Sequence, residues 1–196
     1  MLKFKITTEP TATQEPLTNS EAMQQCRLTN SDLSADENLA AELTRLIVAA
    51  RKYAENATGK SLAEKTVTAV CDSFPANGVI ELPVNPIKEL VSLTYKKADG
   101  STSDITSLVI VDDFSNPSRL VLKVSSSWPT DTLYEVNPIV IIYKAGETPG
   151  GNIKAAMLLM IGHWFDHREE VVIGQESFSI PFGAEALLGQ ERHPFT

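Results

Sequence analysis

The sequence predicts an α+β fold, a helical body with an inserted, mainly antiparallel β subdomain, and three observations carry that prediction. Two capped stretches with apolar residues at three-and-four spacing come first. About six short runs rich in Val, Ile, Thr and Tyr follow, separated by Pro, Asn, Gly and Ser. A strongly apolar helix and an apolar tail then close the sequence. Helices gathered at the two ends do not alternate with strands, which argues against a parallel βαβ sheet.

Residues 1–16 are read as an extended N-terminal arm, because TTEPTATQEP over 7–16 holds two prolines, four threonines and no large apolar side chain. The ordered fold is expected to begin near Leu17. Residues 17–63 hold two N-terminal helices. Thr18 and Glu21 stand three apart, so each can bond a free backbone N–H of the other. Ser34 to Glu37 repeats that spacing, and Leu39, Leu43, Leu46, Ile47, Ala50 and Tyr53 then share one helical face. Gly59 supplies the stop, since glycine takes a left-handed C-terminal conformation at little cost.

Residues 64–148 form the inserted β subdomain, with strands expected over 65–72, 79–82, 90–96, 108–111, 120–124 and 139–144. Asp99-Gly100 marks a hairpin turn. Pro83, Pro86, Pro117, Pro129 and Pro138 fall at run ends, where a missing N–H does no harm to a ladder. Residues 149–174 are one long C-terminal helix. Ile153, Ala156, Met157, Met160, Ile161 and Trp164 form its main face, Leu158 and Phe165 widen the apolar arc, and Leu159 lies on the far side. So apolar a helix needs cover on more than one side, which the chain's own sheet and a neighbouring subunit can supply. Residues 175–196 are an extended C-terminal tail whose Ile180, Pro181, Phe182, Leu187 and Leu188 call for a docking partner. Removing the tail is expected to leave a folded protein.

Composition narrows the function. Seventeen Lys and Arg against twenty-five Asp and Glu leave a formal charge of −8 over 196 residues, which excludes a generally basic nucleic-acid binder. Hydrophobic residues at 42% and charged residues at 21% are ordinary globular usage. The longest apolar run, Ala155 to Ile161, is far short of the roughly 20 residues of a bilayer span, so no membrane partner is expected. MLKFKITTEP lacks the apolar core of a secretory signal, so use without export is expected. Cys26 and Cys71 belong to no ligand motif and read as two free thiols.

Motifs of chemistry are weak. Thr58-Gly59-Lys60-Ser61 looks like the end of a phosphate-binding loop, but Ala54 stands where its first glycine belongs and a helix, not a strand, precedes it. His163 and His167 have the spacing of two metal ligands on a helix, with Asp166 and Glu170 nearby. Trp164 replaces the general-base Glu of the zinc-protease pattern, however, and no third ligand is evident. No nucleophile elbow or catalytic triad is present, so neither a catalytic residue nor a cofactor is assigned.

Two C-terminal segments are specific. IKAAMLLMIGHWFDHREEVV over 153–172, followed by IPFGAEALL over 180–188, resembles the head-tail connector, or adaptor, family of long-tailed DNA bacteriophages. In that family an apolar helix ends in an aromatic pair and Arg-Glu, and a Pro-x-Gly segment with a double Leu closes the chain. ELPVNPIKELVSLTYKKADG, NPSRLVLKVSSSWP and IVIIYKAG extend the resemblance to roughly residues 17–192. Met23, Cys26 and Glu147 depart from the family pattern.

The resemblance implies a non-enzymatic virion part, assembled in the bacterial host cytoplasm and placed in the neck. It implies a homo-oligomeric ring, commonly of about twelve copies in the family, seated on the portal protein above a stopper or tail-completion protein. Genomic DNA would pass through its channel without tight binding, consistent with an acidic chain. The docking tail would use Ile180, Pro181, Phe182, Leu187, Leu188, Arg192 and Phe195. Leu158, Leu159, Trp164, Phe165, Arg168 and Glu169 would serve the subunit interface or the core of the helix. Two rivals stand beside this reading: a neighbouring neck component, either stopper or tail-completion protein, and a small soluble metal-binding or enzymatic domain using His163, Asp166 and His167.

Overall fold

Eight strands and five helices form in the computed structural model, which describes residues 2–167 and 182–191. Strand β1 spans Lys3–Thr8, and helices α1 (Asn19–Gln25), α2 (Asn30–Ala35) and α3 (Leu39–Thr58) follow. Strands β2 (Lys65–Cys71), β3 (Val79–Glu81), β4 (Ile87–Lys96), β5 (Thr102–Asp104), β6 (Val109–Asp112), β7 (Arg119–Leu122) and β8 (Ile139–Ala145) come next, and α4 (Gly151–Asp166) and α5 (Phe182–Gln190) end the described chain. Two units result. Residues 1–10 and 63–147 make a β unit, and residues 11–62 and 148–196 make a helical unit.

The β unit is antiparallel throughout. A five-stranded sheet runs β1-β2-β8-β4-β5 and a three-stranded sheet runs β3-β7-β6. The alternation of β2, with Val67, Ala69 and Cys71 facing inward, meets Ile139, Ile141 and Tyr143 of β8 across the ladder. Ile80, Val109 and Leu120 of the smaller sheet, with Leu82 just after β3, enter the same core. All six strands expected from the sequence are present, and Asp99-Gly100 turns β4 into β5 with Gly100 at φ 89°.

Tyr143 is wholly buried there, and its hydroxyl accepts the Val84 N–H at 3.1 Å. Burial pushes that hydroxyl up to about 12 from its ordinary 10.0. Because the folded state favours the neutral phenol, its contribution is fully present below pH 10 and is lost as pH rises through about 12. Tyr143→Phe is expected to cost roughly 1–3 kcal/mol by leaving the Val84 N–H unpaired. Urea melts at about pH 8 and about pH 11 should show the gap between variant and parent narrowing at the higher pH.

The helical unit has its own core of Leu17, Ala22, Met23, Leu43, Ile47, Ala50, Ala54, Leu62, Ile153, Ala156, Met157, Met160, Ile161, Ala184 and Leu188. Thr18 caps α1 as its spacing predicts: its Oγ1 accepts the Glu21 N–H at 3.2 Å, and Glu21 accepts the Thr18 N–H at 2.7 Å. That backbone bond, then the Thr18 hydroxyl, lowers the Glu21 carboxyl below its usual range. Gly59 ends α3 at φ 72°.

Several expectations are corrected. Three helices precede strand β2, not two, because Thr29 and Asp32 make a 2.6 Å cap bond and start the short α2 upstream of Ser34. The box expected at Ser34–Glu37 does not start a helix; Asp36 instead accepts the Asn38 N–H at 2.9 Å just before α3. The fold also begins before Leu17. Residues 3–8 of the expected free arm pair with β2, and Glu15 is only 4% exposed because it meets Arg51. Backbone pairing and charge order most of that arm, with apolar burial confined to Leu2 and Pro16 at its ends.

Candidate functional site

Helix α4 places Ile153, Ala156, Met157, Met160 and Ile161 inward, against α1, α3 and α5. Helix α5 runs antiparallel along it: a Cβ built on Gly183 would stand 3.7 Å from Leu159 Cδ1, and Asn152 Nδ2 donates to Glu191 Oε1 at 3.3 Å at the other end. The apolar tail is thus helical over Phe182–Gln190, not extended, and Ala184 and Leu188 are buried in the chain's own core. This is the second cover that α4 requires. Removing the tail would therefore strip a core helix, contrary to the expectation that a folded protein remains.

What α5 leaves outward is Phe182, 84% exposed, beside the partly exposed Leu159. Leu158, Trp164, Phe165 and Leu187 are half-buried and pack on the margin of the core. Trp164, expected on the main apolar face of the helix, lies in the last turn of α4 and is half-buried against the core. Ile180, Pro181, Arg192, Phe195, Arg168 and Glu169 lie outside the described residues.

His163 and His167 lie against each other at the end of α4, ring centroids 4.6 Å apart and planes tilted by 34°, with His167 Nδ1 2.9 Å from the His163 carbonyl oxygen. Among the described residues no group of three or more His, Cys, Asp and Glu is placed to hold a metal ion. Five lysines of the β unit have local partners. Lys88 pairs with Glu64, Lys97 with Asp131 at 3.4 Å, and Lys144 with Glu89 at 2.8 Å. Lys96 lies 3.9 Å over the Tyr134 ring, and Lys123 donates to the Ser107 carbonyl at 2.6 Å.

A second apolar feature stands on the β unit. The turn between β6 and β7 presents Phe114, 99% exposed, with Ile110 and Val124 also exposed. Asp112 makes that turn rigid: it accepts the Ser115 hydroxyl at 2.7 Å, the Arg119 Nε at 2.7 Å and the Ser115 N–H at 3.2 Å. The Ser115 hydroxyl first, then Arg119, hold its carboxyl down at about 2. A single aromatic in a polar turn gives no periodic signal, so sequence reasoning did not single it out. Arg51 was missed too, although a charge between Ile47 and Ala54 on an apolar helical stripe marks a buried ion pair. Arg51 is 2% exposed and binds Glu15 at 2.8 Å and Glu55 at 3.0 Å.

The chain can thus offer two separate apolar contacts, one on each unit, and no described constellation with the geometry of catalysis. No family model and no curated protein sequence matches it. Solved structures do. It is similar to a chain in the virion of the native gene transfer agent (GTA) particle, at 18% identity and TM-score 0.72, over 96% of this chain and 94% of that one. It is similar to a chain in the neck of the empty GTA particle computed with C6 symmetry, at 18% identity and TM-score 0.70, covering 98% and 95%. A third match is in the neck of the native GTA particle computed with C12 symmetry, at 17% identity and TM-score 0.69, covering 97% and 94%. The fold of this chain is the fold of those chains over nearly their full length.

Proposed function

We propose that the protein is a structural head-tail adaptor of a virion neck, forming a ring on the portal vertex, joining the DNA-filled head to the tail and continuing the DNA channel. The observation that carries this is the fold shared with neck chains of GTA particles over 97–98% of the sequence. It agrees with the resemblance of the α4 and α5 segments to phage connectors.

Two distinct exposed apolar features suit the role, because a ring set between head and tail meets a different neighbour on each side. Phe182 and Leu159 serve as the portal contact. The excess of acid over base, together with lysines engaged by local partners, suits a channel wall past which phosphates slide, since DNA affinity grows with the number of free cationic contacts. The role needs no catalytic group and no cofactor.

The test is cryo-EM of the protein mixed with a portal ring, with parent and Phe182→Asp compared. A ring of the parent chain against the portal is expected. Phe182→Asp should keep its unfolding midpoint but bind the portal on the order of 100-fold more weakly, the loss of one buried aromatic contact. No ring on the portal, or equal binding by both proteins, would defeat the reading. Density placing the ring one level further from the head would make the chain a stopper.

A further inference from the structure

Strand β1 holds a ladder while burying almost nothing. It pairs with β2 from Lys3↔Val70 to Thr8↔Thr66, and every residue except the half-buried Ile6 is exposed. Apart from Leu2, which packs on the margin of the β core just before the strand, its remaining contacts are on the surface: Thr7 and Thr68 hydroxyls 2.7 Å apart, and Lys3 Nζ 3.7 Å from Asp72 and 3.4 Å from Asn137 Oδ1. A strand held by backbone bonds and polar contacts is weakly specified and prone to exchange. Beneath it β2 is fixed, with buried residues at every second position and a full register on β8.

Just beyond β1 the chain passes from the β unit to the helical unit at Pro10 and Thr11. Glu9, preceding proline, is confined to extended backbone. A few residues later Glu15 is clamped by Arg51. A loosely held strand, a straight hinge and a firmly fixed anchor are the arrangement from which identical chains exchange elements, since the exchanged contacts equal the original ones.

We propose that β1 is exchanged between neighbouring copies, residues 3–8 of one copy pairing with β2 of the next. The proposal rests on the ring reading above. Each copy donates a strand at one place and accepts one at another, which is the head-to-tail contact a ring requires. The occupant is a second copy's β1 because, among strands from outside the chain, an identical one restores the same register and the Thr7–Thr68 pair.

Lys5 and Thr68 are directly opposite on the ladder, close enough for a disulfide between cysteines. Two differently tagged full-length copies, one Lys5→Cys and the other Thr68→Cys, are co-expressed and oxidised. The expected result is a reducible species of twice the chain mass that joins both tags, mapped by mass spectrometry to positions 5 and 68. An oligomer lacking that bond overturns the exchange and leaves the ring standing. Closure of the same bond inside a doubly substituted chain then identifies the unexchanged strand. Sedimentation as a monomer at every concentration overturns the ring and the exchange together.

Discussion

Arg51→Met is expected to destabilise the protein by about 3–5 kcal/mol, the cost of leaving buried charge without its partner. The guanidinium sits 2% exposed between Glu15, 4% exposed, and Glu55, 12% exposed. Glu55 also accepts the Leu62 N–H at 2.9 Å, so its carboxylate is held in place and cannot turn out to water. Methionine fills much of the volume and leaves two carboxylates facing each other in a poorly solvated site. The urea midpoint measures the loss. Adding Glu15→Gln and Glu55→Gln to Arg51→Met should recover most of it, because a neutral trio no longer carries uncompensated charge. An unchanged midpoint for the single variant would mean that solvent reaches the cluster.

Gly146→Ala is expected to be more severe, at more than about 4 kcal/mol, enough to prevent recovery of folded protein. Gly146 follows β8 at φ 127°, a backbone conformation that L side chains rarely adopt. A Cβ there would stand 2.2 Å from the Ala63 carbonyl oxygen, 2.6 Å from its carbon and 2.9 Å from the Glu64 nitrogen. All three are backbone atoms that cannot swing aside, and the Gly146 N–H is itself bonded to the Pro86 carbonyl at 2.9 Å. Gly189→Ala is the control. It lies within α5 with open space around it, so alanine there should raise stability by up to about 1 kcal/mol. Comparison of the two by soluble yield and thermal midpoint separates a steric requirement from a general intolerance of added methyl groups.

Much of the fold was legible because period and punctuation are local signals. The six Val- and Ile-rich runs became strands, Thr18 and Glu21 became a cap, and Gly59 ended its helix. What failed to show had a physical reason in each case. Lys3, Phe4, Lys5 and Ile6 do alternate as a strand should, but the proline-rich stretch behind them dominated the reading. Thr102–Asp104 carries no apolar residue at all, and only its place after the Asp99-Gly100 turn makes it β5. The tail was read as extended, whereas the apolar surface of α4, which only the fold brings alongside, holds Phe182–Gln190 in a helix. Phe182 and Leu188 were read alike as docking residues, although Phe182 is exposed and Leu188 is buried. That distinction depends on which side of α5 meets Met157 and its neighbours, information that only packing supplies.

The interleaving of the two units sets an order of events during synthesis. The β unit is complete once residue 147 has emerged, while the core of the helical unit needs Ile153 to Ile161, Ala184 and Leu188 as well as Leu17 to Leu62. At about 5–20 residues per second, the apolar stripe of α3 waits roughly 5 to 20 s for α4 to leave the ribosome. Within that interval the cluster of Glu15, Arg51 and Glu55 is already available, because all three lie upstream of Leu62. The buried ion cluster is therefore a contact that can pin α3 to the preceding segment before α4 and α5 exist, and its loss would be felt as aggregation of nascent chains before it was felt as a lower melting point.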